Sequence, residues 1–165
     1  MPYTCTLIDS PVGMLTLVAR GPKLAAILWQ DDRPGRVRLG EVREQHDHPM
    51  LVRTATQLDE YFAGRRETFD LELDFAGTAF QVQVWQALLR IPFGETRSYL
   101  DIALQLGNPK AVRAVGAANG RNPISIIAPC HRVIGSSGSL TGFAGGLAAK
   151  QYLLNLERRD LLFGC

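Results

Sequence analysis

Apolar and polar positions alternate with a short period in the first third of the chain. Thr4–Arg20, TCTLIDSPVGMLTLVAR, contains two β-rich runs joined by Ser10-Pro11-Val12-Gly13, the signature of a hairpin. Leu24–Trp29, LAAILW, predicts a third strand. Residues 31–49 are polar and carry Pro34, Gly35, Gly40 and Pro49, which predicts a loop. The period then lengthens. Within HPMLVRTATQLDEYFAGRR, Leu51, Leu58, Tyr61 and Phe62 recur at helical spacing and Gly64 closes the run. Thr68–Phe75, TFDLELDF, alternates again and reads as an edge strand or a linker between two halves.

Helical spacing dominates from there on. Phe80, Val84, Ala87, Leu88 and Ile91 share one face of FQVQVWQALLRI, and IPFGETRS reads as a turn. Ser98 is placed to cap YLDIALQLG, which ends at Gly107. Asn108 is placed to cap PKAVRAVGAAN, with Pro109 at the first helical position. Two short helices joined by a Gly-Asn-Pro turn have the form of a helix-turn-helix. GGLAAKQYLLNLERR predicts a final amphipathic helix. The expected fold is mixed α/β (α+β): a small N-terminal sheet-plus-helix domain over residues 1–75, then a mostly helical domain over residues 76–165 containing the helix-turn-helix.

Composition sharpens this picture. Among 165 residues, 46% are hydrophobic and 21% charged, which suits packed domains and excludes a disordered chain. No apolar run approaches a membrane span, and the N-terminus lacks the basic and apolar regions of a signal peptide. Cys5, Cys130 and Cys165 are an odd, widely spaced set, which points away from a disulfide framework and toward a reducing, cytoplasmic location. The net charge of +2 hides an asymmetry. Residues 1–75 hold nine basic and twelve acidic side chains, whereas residues 76–165 hold nine and four. A basic second half is the footprint of a polyanion partner.

The second helix of the pair is rich in small residues. Ala111, Ala114, Ala117, Ala118 and Gly116 suit either close packing on another helix or close approach to a groove, with Arg113 as the one long cation in the first turns. A major-groove reader needs several base-contacting side chains. This helix instead suits sequence-independent binding, in the minor groove, with one side chain inserted into the stack.

The stretch NPISIIAPCHRVIGSSG holds the most suggestive chemistry. Cys130 stands beside His131, behind Pro129 and an apolar run that reads as a buried strand. A single cysteine is ordinarily a small buried hydrophobe. A neighbouring imidazole and Arg132 would favour its thiolate. Strand neighbours point to opposite faces, so direct contact between Cys130 and His131 would need a bend or an intervening water.

Pro129-Cys130-His131-Arg132-Val133-Ile134 resembles the active-site signature of the O6-alkylguanine-DNA alkyltransferases, the DNA-repair methyltransferases. Phe93-Gly94-Glu95-Thr96-Arg97-Ser98-Tyr99, Asn108 through Gly116, Asn122-Pro123 and Gly145-Gly146-Leu147 match the family's motifs in the same order. The resemblance covers essentially all of residues 78–158. It implies a repair protein that flips O6-alkylguanine out of duplex DNA and transfers the alkyl group, once and irreversibly, to Cys130. His131 is implied as the base, acting through a water, and Glu157 as the carboxylate that orients its imidazole. Asn122 is implied to brace the turn near Cys130. Tyr99 is implied to give a proton to guanine N3 and to help rotate the nucleotide. Arg113 resembles the finger that fills the gap, and backbone groups of Cys130 and Val133 resemble those that read the guanine edge. At Ala144 some relatives carry a Ser that helps bind O6; here only a backbone N–H is available.

No cofactor is implied. Some relatives bind zinc through two Cys and two His; Cys5, with His46 and His48 far away in sequence, supplies too few ligands, so no metal is expected. The implied partner is double-stranded DNA bearing O6-alkylguanine, with O4-alkylthymine as a second lesion, and no membrane. A monomer in solution is expected; cooperative assembly on DNA, the preferred alkyl size and the use of Cys165 are left open by the sequence. Two other classes compete. A cysteine hydrolase would need an oxyanion hole and usually a distant His. A non-catalytic DNA-binding module, or a helix-turn-helix transcription factor, would need no Cys130 and, for base-specific readout, a less alanine-rich helix.

Overall fold

The computed structural model describes residues 2–138, 140 and 142–158; Arg159, in the expected last helix, and Cys165 lie outside the described residues. The fold is mixed α/β. The chain divides into two compact units, Met1–Ala76 together with Pro123–Ser125, and Gly77–Asn122 together with Ile126–Cys165. Among the described residues no helix is long and apolar enough to cross a membrane.

The first unit is built on a four-stranded sheet. β1 (Tyr3–Ile8) and β2 (Leu15–Arg20) form the expected antiparallel hairpin, and β3 (Lys23–Trp29) extends it on the far side of β2. Ser10 shapes the hairpin turn: its hydroxyl donates to the Gly13 carbonyl at 2.6 Å and accepts from the Val12 N–H at 3.1 Å. The expected loop holds a surprise. Val42–Glu44 forms β4, parallel to β1 at the sheet edge. All three of its residues are exposed, so no buried face writes a period into the sequence, and its charges suit an edge. Val37 and Leu39, from the same stretch, pack on a core of Cys5, Val18 and Ala26. Arg36 forks onto Asp32 at 2.7 and 2.8 Å and holds that stretch in place. TFDLELDF is mostly a linker, with one parallel bridge from Leu73 to Leu24. α1 (Pro49–Phe62) packs on the sheet through Leu51, Leu58 and Tyr61, and His48 caps it by accepting the Met50 N–H. Pro123–Ser125 joins this unit: the Pro123 carbonyl accepts the Ile27 N–H at 2.9 Å, and Ser125 Oγ accepts Trp29 Nε1 at 3.1 Å.

The second unit is helical. α2 (Ala79–Leu88) starts at a capping box in which Thr78 and Gln81 exchange hydrogen bonds. Val84, Trp85, Ala87 and Leu88 are its buried contribution, and Ile91, just beyond the helix, is buried too. The turn after Ile91 ends in a two-residue strand β5 (Arg97–Ser98), paired parallel with β6 (Val133–Ile134). Ser98 caps α3 (Tyr99–Gln105) as expected, with Asp101 completing the box. α4 differs from expectation. It spans Val112–Gly120 with Ala111 as N-cap, three residues later than the Asn108 cap predicted. The Asn108 carbonyl instead accepts the Ala111 N–H at 3.0 Å and closes a separate turn. α2 and α3 both pack on α4, and α5 (Leu147–Glu157) packs on the segment that carries Cys130.

One glycine sits where a side chain does not fit. A Cβ at Gly77 would lie 2.6 Å from the Trp85 ring, and Trp85 is itself pinned by donating Nε1 to the Ala118 carbonyl at 2.8 Å. We therefore expect Gly77→Ala to lower unfolding free energy by about 1–3 kcal/mol, measured by urea titration. A change within 0.3 kcal/mol, on the order of a neutral surface substitution, would show that Trp85 can shift freely.

Candidate active site

The chain reaches Cys130 by turns and not by the strand expected from IIAPC. Ile126 has φ +75, a left-handed conformation rare for a β-branched residue, and this interrupts any extended run. Pro129, at φ −81 and ψ 68, centres an inverse γ-turn whose bond runs from the Cys130 N–H to the Ala128 carbonyl at 2.8 Å. The same carbonyl accepts Asn122 Nδ2 at 2.7 Å, and Asn122 is fully buried. Residues Cys130–Arg132 then form one 3-10 turn. Neighbours in such a turn project about 120° apart, not to opposite faces. The objection that strand geometry raised against Cys130 and His131 acting together therefore does not arise.

Three charged side chains and one imidazole are buried around this turn. Glu157, near the end of α5, is the hub. Its Oε1 accepts Arg132 Nε at 2.8 Å; its Oε2 accepts Arg132 Nη2 at 3.0 Å and His131 Nε2 at 2.7 Å. Arg132 also donates Nη1 to the Ile91 carbonyl at 2.6 Å and lies over the Phe93 ring. Gly94, at φ +81, brings that loop so close to the end of α5 that a Cβ there would sit 3.4 Å from the Glu157 carbonyl. Lys150, two turns earlier on the same helix, is fully buried and donates Nζ to the Val133 carbonyl at 2.7 Å.

These contacts fix protonation. Burial raises the Glu157 carboxyl, but the His131 hydrogen bond and the Arg132 contacts outweigh it and hold the carboxyl at about 2, so it is an anion. An ionised carboxylate only accepts hydrogen bonds, so His131 carries its proton on Nε2. Burial pushes the His131 pKa below its ordinary 6.5; Glu157 opposes this, and the nearby charges of Arg132 and Lys150 add to it. The imidazole is thus neutral, and its Nδ1 is a buried acceptor without a partner among the described residues. A neutral imidazole oriented by a carboxylate, one residue from a buried thiol that is in no disulfide, can take a proton from a nucleophile.

The other expected site residues fall in two groups. Tyr99 opens α3, and a methyl on Gly116 would lie 3.8 Å from its ring, so the ring lies over the small surface of α4. Arg113, Ala114 and Ala117 are exposed on α4. Ala118 is not on that surface: it is buried against α2, and Ala111 caps the helix from outside it. The place of Ala111 follows from the late start of α4, and Ala118 lies on the buried face that also carries Val115 and Asn119. Val133 is fully buried, its N–H given to the Cys130 carbonyl. Ala144 is half-buried in the loop before α5. Sequence reasoning missed the structural weight of Arg132, taken only as positive potential, and missed Lys150 altogether. The signal for the latter was available. Lys150, Leu153, Leu154 and Glu157 sit at i, i+3, i+4, i+7, so two charges occupy an apolar stripe.

Comparison with known proteins agrees with this geometry. Residues 79–159 match the profile of the 6-O-methylguanine DNA methyltransferase DNA binding domain, and residues 3–75 match that of the ribonuclease-like domain of the same proteins. The chain is 53% identical over 152 residues to a methylated-DNA--protein-cysteine methyltransferase of Mycolicibacterium paratuberculosis, covering 92% of this chain and 90% of the relative. It is 48% identical to the constitutive one of Bacillus subtilis, covering 93% and 94%. Among solved structures it resembles Mycobacterium tuberculosis OGT in complex with DNA, with a TM-score of 0.86 at 49% identity over 96% of this chain and 94% of that one.

The buried charges make stability depend on pH. The Glu157 carboxyl is depressed from 4.5 to about 2, so the stability it contributes is present above 4.5 and lost as pH falls toward 2, about 3 kcal/mol in all. His131 is also depressed, so its contribution too is present above 6.5 and declines on acidification. Glu157→Gln should flatten the loss between pH 4.5 and 2. At neutral pH it should cost about 3–5 kcal/mol, because Arg132 stays buried without its anion. Urea titrations of both chains across this range check the two statements together.

Proposed function

The chain belongs to the 6-O-methylguanine DNA methyltransferase family, and on that premise we propose that it repairs DNA by moving an alkyl group from guanine O6 to its own Cys130. The observation that carries the assignment of roles is the His131–Glu157 hydrogen bond at 2.7 Å, which leaves Nδ1 as the unpartnered base beside the cysteine. The thiol proton passes to Nδ1 through a bridging water. The sulfur then attacks the alkyl carbon, an S–C bond forms, and the C–O6 bond breaks. The electron pair leaves with guanine, which takes a proton at N3 from the Tyr99 hydroxyl; the imidazolium proton returns to Tyr99 through solvent. The thioether product is a poor leaving group, so each chain reacts once.

The DNA side of the proposal rests on α3 and α4. The exposed face of α4 is small at Ala114 and Ala117 and bears Arg113, which suits a backbone pressed into a minor groove with one side chain filling the place of a flipped base. Flipping is required because O6 is confined within the duplex stack. Asn122 braces the Ala128 carbonyl and so the turn that presents Cys130. Backbone groups of Cys130 and Val133 meet the guanine edge, and the Ala144 N–H meets O6. A cytoplasmic location completes the proposal.

The test is to incubate the protein with duplex DNA containing O6-methylguanine and weigh it. One methyl per chain, located on Cys130, is the expected result; repeated turnover with excess substrate would overturn it. Cys130→Ala should abolish transfer and still bind DNA. Arg113→Ala should slow reaction on saturating duplex by the unstacking energy it no longer offsets, on the order of a few kcal/mol, and leave reaction with free O6-alkylguanine unchanged. Full recovery of the duplex rate at saturation would reduce Arg113 to a phosphate contact.

A further inference from the structure

One polar side chain of α4 is buried without a partner. Asn119 lies near the end of that helix, in the buried set with Val115 and Ala118, and is 6% exposed. Its Oδ1 is sealed from solvent and accepts no hydrogen bond among the described residues. An acceptor left in this state is a standing cost to the fold, which an apolar residue of the same size would avoid. Helix spacing puts Asn119 one turn beyond Gly116, on the flank that meets Tyr99: a methyl on Gly116 would lie 3.8 Å from the Tyr99 ring. Hydrogen bonds tie it to the nucleophile from the other side. The Asn119 carbonyl accepts the Asn122 N–H at 3.3 Å, Asn122 Nδ2 donates to the Ala128 carbonyl at 2.7 Å, and that carbonyl accepts the Cys130 N–H at 2.8 Å. Asn119 is thus linked both to the tyrosine that opens α3 and to the turn that holds Cys130, the two groups that the transfer reaction brings to the flipped base.

Resting on the functional reading above, we propose that Asn119 is a specificity residue: its carboxamide oxygen accepts a hydrogen bond from the 2-amino group of the flipped O6-alkylguanine. The chemistry of the lesion leaves one choice of donor. Alkylation at O6 removes the proton from ring N1, so the 2-amino group carries the only N–H bonds on the base. It has two, enough for a backbone carbonyl at the guanine edge and for Asn119 together. O4-alkylthymine has lost its ring N3 proton in the same way and has no amino group, so it offers the amide nothing. A carboxamide also suits a donor that arrives late. A half-turn of the side chain exchanges its two ends, so the oxygen turns to meet the amine without movement of α4. A site that leaves its own buried acceptor unpaired with the wrong ligand discriminates more sharply than one that relies on fit alone.

Two duplexes that differ in one group test this. One carries O6-methylguanine and the other O6-methylhypoxanthine, which lacks the 2-amino group; O4-methylthymine duplex is the third substrate. Methyl transfer to Cys130 is followed below saturation for wild type and Asn119→Leu, and the ratio of the two chains on each lesion cancels differences in how easily each duplex opens. Asn119→Leu should react about tenfold more slowly with O6-methylguanine, the worth of one good hydrogen bond. Its rates with O6-methylhypoxanthine and O4-methylthymine should equal those of wild type. Equal losses on all three lesions, or no loss on any, would overturn the proposal. Stability separates this role from a packing one. Because the oxygen is orphaned in the free protein, Asn119→Leu should unfold at a urea concentration no lower than wild type; a lower midpoint would show that the amide serves the fold, and would also overturn the idea. Should Asn119→Leu fail to fold, Asn119→Ala takes its place in the rate comparison. Wild type that accepts methyl from none of the lesions would sink the functional reading, whereas wild type that accepts it equally fast from the two purines would sink this proposal alone.

Discussion

A single carboxylate organises the chemistry of the C-terminal unit. Glu157 is almost fully buried and accepts three hydrogen bonds from two side chains. An isolated buried carboxylate would be protonated or expelled. This one remains an anion because a guanidinium meets it with two N–H groups and an imidazole with one. Remove it, and three things fail together: the His131 tautomer, the balance of the Arg132 charge, and the register of α5 on the Cys130 turn. The site is thus held by a network whose members are useful only when all are present.

Much of the architecture is written in local patterns. The β1–β2 hairpin follows from alternation and the Ser10–Gly13 turn; α1, α2 and α5 follow from apolar spacing; α3 follows from Ser98 and its cap. What escaped lacks a periodic face. β4 is exposed at all three residues, and the β5–β6 pair is two residues long, so partners far along the chain, not side-chain period, define them. α4 begins late because Asn108 spends its carbonyl on a turn, a choice between two local solutions that both suit Asn-Pro.

The site was legible to a similar degree. Cys130 and His131 stand out as neighbours in the sequence, the roles of both and of Glu157 come from the resemblance over residues 78–158, and the fold brings His131 and Glu157 into contact across 26 positions. The path to Cys130 was misread, because IIAPC has the composition of a strand and nothing in it announces the left-handed Ile126. Arg132 and Lys150 were undervalued for a different reason. Charged residues are normally solvated, and only their partners, set by tertiary packing, reveal them as interior groups.

The division of labour between helices carries a consequence for how such a protein could change over time. Under the proposed function the groove-facing features lie on α3 and α4, whereas Lys150 and Glu157, which hydrogen-bond to Val133 and to His131 and Arg132, lie seven positions apart on α5. Recognition and reactivity are therefore encoded in separable segments. Drift in α5 would silence the nucleophile while the DNA-facing pair kept its caps and its packing. The outcome would be a chain that still finds a lesion and holds it without removing it, so a marker of damage is only a few substitutions away from a repairer.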